Sequence, residues 1–121
     1  LPNDEALQRF RARQTLDLPG HVVLPGLINL HTHAAMSLLR GYADDLPLMR
    51  WLSERIWPAE ARHAGPDFVR AGTLLECAEM LRGGITTFND MYFFPDAAAE
   101  AAKKVGMRAV LGIVVIEFPT S

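Results

Sequence analysis

The 121-residue chain holds a single cysteine, Cys77, so it cannot close an internal disulfide and a reducing cytoplasm is the default compartment. No run of about 20 apolar residues and no signal-peptide pattern is present, so neither a membrane-spanning helix nor a secretory address is expected. Charge of one sign is not in excess either. With 12 basic and 14 acidic side chains the formal net charge is −2, and no global field points to nucleic acid, an anionic membrane surface or a strongly charged substrate. Repeats and low-complexity linkers are missing, although residues 97–102 are alanine-rich. The chain begins at Leu1 without a methionine, which suggests residues preceding this stretch. With 50% of its residues hydrophobic, it can bury one modest core and not two. The partner class must therefore come from a local site.

Residues 1–20 are polar, of mixed charge and proline-containing, and read as a lead-in with one short helix; residues 21–121 read as the domain proper. Val22, Val23 and Leu24 form an apolar run, Pro25-Gly26 punctuates it, and Leu27, Ile28 and Leu30 resume it, which predicts two short strands joined by a break. The second is apolar at most positions, as in a parallel sheet covered on both faces, and ends at His31-Thr32-His33. Leu48, Trp51, Leu52 and Ile56 have helical spacing until Pro58 interrupts them. A further helix starts near Pro66-Asp67, with Phe68, Ala71, Leu75, Ala78 and Leu81 or Arg82 tracking one face, and ends at Gly83-Gly84. The strand Ile85, Thr86, Thr87, Phe88 follows. A third helix runs from about Asp96 to Lys104, acidic early and basic late, before Gly106 stops it; residues 108–116 are again a continuous apolar strand. Strand, helix, strand, helix, strand with short connections is the βαβαβ signature, and right-handed crossovers make the three strands parallel neighbours. A closed (β/α)8 barrel needs about 250 residues, so the fold class is α/β, a partial TIM barrel of roughly three βα units.

His31 and His33 stand two apart at the C-terminal end of a predicted strand, so both imidazoles project from one face and can meet one ion. On the pair alone, strand-end histidines bonded to backbone or water are the stronger reading. The surroundings change the weighting. The run Val23-Leu24-Pro25-Gly26-Leu27-Ile28-Asn29-Leu30-His31-Thr32-His33 resembles the PG-[LF]-[IV]-[ND]-x-H-x-H signature of the amidohydrolase superfamily. The resemblance continues through Met36-Ser37-Leu38-Leu39-Arg40-Gly41, through Asp44-Asp45-Leu46-Pro47-Leu48 with Trp51-Leu52, and through residues 79–88 with Asp90-Met91-Tyr92. It covers roughly residues 19 to 115 and is closest in character to the branch of methylthioadenosine/S-adenosylhomocysteine deaminases and triazine-type chlorohydrolases.

That resemblance implies a barrel with a lead-in from a small β domain, and one divalent metal ion, zinc first and iron second, held by His31, His33 and two ligands from later strands. The ion would activate water as nucleophile. The family's acid/base glutamate also comes from a later strand, beyond Ser121, so no catalytic residue is assigned within residues 1–121. If the natural chain instead ended at Ser121, neither a base nor a complete metal sphere would exist, and no activity would be expected. In the nucleoside deaminases a tryptophan and a glutamate follow the histidine pair, the glutamate contacting both ribose hydroxyls; Trp51 and Glu60 occupy the matching positions. A carboxylate can accept from both hydroxyls of a cis-diol. Against this, Trp51 reads equally as a helix core residue, and Glu60 as a solvated charge or a partner of Arg62.

Among the remaining candidates, His21 and His63 read as solvated or structurally bonded, and Cys77 as a buried, inert thiol. Asn89 and Asp90 follow a strand and read first as cap residues. Arg40 reaches either an acidic ligand or Asp44. The expected activity is hydrolytic deamination at carbon 6 of an adenine nucleoside. The alternative within the superfamily is dechlorination or deamination of a triazine, guanine or other N-heterocycle, and the alternative from another class is a non-catalytic metal-binding or assembly module. In the 121-residue chain alone, bound metal is expected to be weak or absent. The expected partners are a small-molecule substrate and either a second copy or the rest of the barrel, which would cover the apolar strands 27–30, 85–88 and 110–116.

Overall fold

A computed structural model describes residues 2–117 of the protein. The domain expected over residues 21–121 is therefore described as far as Glu117, and its expected end at Ser121 lies outside the described residues. Helix α1 (Asn3–Arg9) carries Asp4 and Glu5 in its first turn and Arg9 in its last, complementing the helix dipole, and residues 10–26 contain no regular element. The strand expected at Val22, Val23 and Leu24 does not form, and all three side chains are exposed. Pairing begins only after Pro25, at Leu27, whose N–H donates to the Gly84 carbonyl (2.9 Å).

Strands β1 (Leu27–Thr32), β2 (Ile85–Met91) and β3 (Arg108–Gly112) form a parallel sheet in the order β1-β2-β3. Thr32 pairs with Asp90, and Met91 with Gly112, so the three C-terminal ends lie together at one end of the sheet. β2 runs three residues beyond Phe88. β3 stops at Gly112 instead of reaching residue 116, because its partner β2 ends at Met91 and leaves nothing to pair with.

Helix α4 (Pro66–Arg82) has Pro66 in its first turn and ends at Gly83, and α5 (Pro95–Val105) runs from Pro95 to a left-handed Gly106 (φ 76°). Both pack on one face of the sheet. The buried positions of α4 are Val69, Gly72, Thr73, Cys77 and Met80, whereas Ala71, Leu75, Ala78 and Leu81 are exposed; the expected apolar face points outward. One group of buried residues joins Ala34, Cys77, Met80, Phe88, Ala102 and Met107, and a second joins Ala35, Val69, Tyr92, Ala97 and Ala98. Alanine on α5 and Gly72 on α4 allow close approach. A Cβ on Gly72 would meet the backbone of Ala35, with Cα at 2.8 Å and C at 2.9 Å.

The opposite face of the sheet and its edges are open. Leu27, Ile28, Leu30 and Val110 are each more than 60% exposed, so the apolar strands β1 and β3 meet solvent as expected, while Phe88 on the central strand is fully buried. β2 is paired on both sides and covered by α4 and α5, which removes it from the exposed set. The architecture is a partial α/β barrel. No helix among the described residues is long and apolar enough to cross a membrane.

Candidate active site

At the C-terminal end of β1 the chain turns through His33 into a 3₁₀ helix, Ala34–Leu39. The turn is held from the neighbouring strand: the Ala34 N–H donates to Asp90 Oδ1 (2.9 Å), and both groups are buried. Burial pushes the Asp90 carboxyl above its ordinary range, offset by the hydrogen bond from Ala34 and by the charge of His33. Asp90 therefore caps a helix that lies 56 residues back in the chain, not the one that follows it. Asn89 is no cap; its Nδ2 donates to the Leu30 carbonyl (3.0 Å), tying β2 to β1. The reason is that β2 extends to Met91, which places both residues inside a strand.

His31 and His33 meet edge to face with ring centroids 5.0 Å apart. His33 Nδ1 lies 2.6 Å from the Met91 carbonyl oxygen. A carbonyl only accepts, so Nδ1 carries the proton and Nε2 is left with the lone pair that a metal ion requires. The donor set thus fits two ligands of a divalent ion, and among the described residues no group of three or more His, Cys, Asp or Glu side chains could complete it.

The segment carrying Trp51 and Glu60 departs from the expected helix. Pro58 does not end it: α2 (Leu48–Trp51) passes through a π turn (Leu52–Ile56) into α3 (Trp57–His63). The Trp57 N–H reaches back to Leu52, and the widened turn accommodates the ring of Pro58, which has no N–H to give. In an unbroken α-helix, residues nine apart lie about 180° from each other at ~100° per residue. The π turn absorbs one extra residue and reduces that separation to about 80°. Trp51 and Glu60 consequently line the same cleft, of about 210 Å³, together with His33, Met36, Ile56 and Tyr92.

Glu60 is 8% exposed, neither a solvated charge nor a partner of Arg62. Its Oε1 accepts a hydrogen bond from the Tyr92 hydroxyl (2.8 Å). Burial raises the Glu60 carboxyl above its ordinary value, while the Tyr92 hydrogen bond and His33 pull it back toward the ionised form. Trp51 is half-buried. Tyr92, which the sequence marks only as part of the family resemblance, is a polar residue of this cleft given no role there, since its partner Glu60 lies 32 residues away.

The other candidates lie outside the cleft. Arg40 pairs with neither a metal ligand nor Asp44; its guanidinium forks onto Glu79 (3.0 and 2.6 Å) with Glu76 at 3.5 Å, fastening the 3₁₀ helix to α4. His21 Nδ1 lies 3.0 Å from the Pro19 carbonyl, a local structural contact. Cys77 is fully buried and its thiol is pushed up to about 11, first by burial and then by the charges of Glu76 and Asp90.

A parallel α/β sheet whose first strand ends on a His-x-His pair, beside a largely apolar cleft with Glu60 as its acidic residue, has the layout of a barrel hydrolase, and residues 22–121, through Ser121, match the amidohydrolase family. The chain belongs to that family. It is 59% identical over 119 residues to a 5-methylthioadenosine/S-adenosylhomocysteine deaminase of Syntrophobacter fumaroxidans, covering 98% of this chain and 27% of the relative. Among solved structures it superimposes on a zinc-bound adenosine deaminase from Xanthomonas campestris with a TM-score of 0.94 and 53% identity, over 100% of this chain and 28% of that one. An atrazine chlorohydrolase from Arthrobacter aurescens, complexed with zinc, matches at TM-score 0.68 and 33% identity over 74% of this chain and 23% of its own. The chain spans about a quarter of the length of the relatives it matches.

Proposed function

We propose that this chain is the N-terminal part of a metal-dependent hydrolase that deaminates an adenine nucleoside of the methylthioadenosine or adenosylhomocysteine type at carbon 6, with release of ammonia. The observation that carries the reading is the convergence of His33, Trp51 and Glu60 on one cleft. His31 and His33 are proposed as two ligands of one divalent ion, zinc before iron. When bound, such an ion activates water for attack on the purine ring. His33 contributes through a fixed tautomer, its Nδ1–H held by the Met91 carbonyl. Trp51 offers an aromatic wall to the base. Glu60 offers carboxylate lone pairs to the two ribose hydroxyls, in a site dry enough for those bonds to count. The proton-transferring group and the remaining metal ligands are assigned to later strands, beyond Ser121. The names of the Syntrophobacter and Xanthomonas proteins support the nucleoside reading, and a lone, buried cysteine supports a cytoplasmic location. The open sheet face supports a partner in the form of the remaining barrel or a second copy.

Ammonia release from a panel of adenine nucleosides, guanine and chlorotriazines, measured on a complete enzyme carrying this segment, tests the proposal. Turnover of nucleosides that falls on Glu60→Ala with metal content intact is the expected result. Turnover confined to compounds without ribose would refute it and favour the heterocycle chemistry of the atrazine chlorohydrolase. A reading frame that stops at Ser121, with no activity, would favour the non-catalytic module.

A further inference from the structure

We propose that Tyr92 is a positioning residue that holds the Glu60 carboxylate in the orientation needed to read a cis-diol, an inference that rests on Glu60 being the diol-binding group. The two residues come from different elements, Tyr92 from just beyond β2 and Glu60 from α3, and are 32 residues apart in sequence. Tyr92 is 7% exposed and Glu60 8%, and the phenol O–H donates to Oε1 at 2.8 Å. A buried carboxylate on a helix has three side-chain torsions to fix, and a single directional bond from a rigid ring fixes the last of them. The phenol itself is packed in the same buried group as Ala35, Val69, Ala97 and Ala98, which restricts its ring.

The arithmetic of lone pairs leaves room for substrate. An ionised carboxylate offers about four acceptor sites. Tyr92 occupies one on Oε1, so Oε2 and the second lone pair of Oε1 stay available, and a diol needs two. Burial and the neighbouring carboxylate raise the Tyr92 phenol above its ordinary value near 10, so it remains a donor throughout the working pH range. Both side chains border the cleft shared with His33 and Trp51, so the oriented carboxylate belongs to the wall of that cleft.

The test compares an adenine nucleoside with its 2′,3′-dideoxy analogue in a complete, metal-loaded enzyme carrying Tyr92→Phe, with Glu60→Ala as reference. Removal of the donor is expected to lower the preference for the diol by about 5- to 30-fold through KM, with kcat and the dideoxy substrate changed by less than about twofold. If Tyr92→Phe does not accumulate as folded enzyme, 4-fluorophenylalanine at position 92 fills the hydroxyl's space without a donor, and 4-aminophenylalanine restores an N–H. The former should reproduce the loss and the latter should recover the preference. A diol preference that survives donor removal but disappears in Glu60→Ala overturns the role of Tyr92 alone. A preference that survives Glu60→Ala as well overturns the assignment of Glu60 and the positioning role with it.

Discussion

Replacing Gly72 with alanine tests whether the contact between α4 and the 3₁₀ helix sets the position of His33. In an exposed helix the substitution would be favourable, since alanine exceeds glycine by about 1 kcal/mol in helix propensity. Here the new methyl would sit 2.8 Å from Ala35 Cα and 2.9 Å from Ala35 C, and closer still to its carbonyl oxygen. All three are backbone atoms, so no rotamer change relieves the clash. Overpacking of this kind costs about 1–3 kcal/mol, and a rigid neighbour favours the upper part of that range. The net expectation is a loss of about 1–2 kcal/mol of stability. The displacement would also stretch the hydrogen bond from Ser37 Oγ to the Gly72 carbonyl (3.0 Å) and move Ala34, the residue directly after His33. Denaturant unfolding and zinc content, measured side by side on the complete enzyme, give the answer. A variant about 1 kcal/mol more stable than the parent, with unchanged zinc affinity, would refute the reasoning, because it would show α4 free to move away at no cost.

Four further outcomes are expected. His31→Ala and His33→Ala should each lower zinc occupancy and turnover together, as read by metal analysis and ammonia release; full activity at full metal content in either variant would remove it from the ligand set. With its thiol pushed up to about 11, Cys77 should resist alkylation at pH 8 in the native enzyme and react only on unfolding, and a native rate equal to the denatured one would contradict its burial. Because the folded thiol holds its proton more tightly than the unfolded one, the associated stability, up to about 2–3 kcal/mol, is present below pH ~9 and lost as the pH rises toward 11, which melting curves across that range would detect. The 121-residue chain by itself should associate through the open faces of Leu27, Ile28, Leu30 and Val110, and light scattering that showed a monodisperse, cooperatively folding monomer would argue against this.

Apart from the strand expected at residues 22–24, the order of strands and helices was legible in the residues because its punctuation is local: Pro66 and Gly83 bound α4, Gly106 ends α5, and each glycine or proline acts through its own backbone. His31 lies in β1 and His33 one residue beyond its end, at the start of the 3₁₀ helix, so their nearness follows from sequence adjacency while only His33 borders the cleft. Trp51 and Glu60 were reached through resemblance to a family motif. What brings them to one cleft is the π turn at Leu52–Ile56, and a reading that assumes 3.6 residues per turn places them on opposite sides. The buried side of α4 was misread for a related reason. Gly72 and Thr73 carry little hydrophobic signal, yet both are buried, and at Gly72 the backbone of Ala35 approaches too closely for any side chain. Asp90 against Ala34, and Tyr92 against Glu60, join residues 56 and 32 positions apart. No local pattern encodes such contacts, since each depends on the parallel register and on the crossover helices that bring distant stretches together; the chemistry of the individual residues is written along the chain, and their partners are chosen only when it folds.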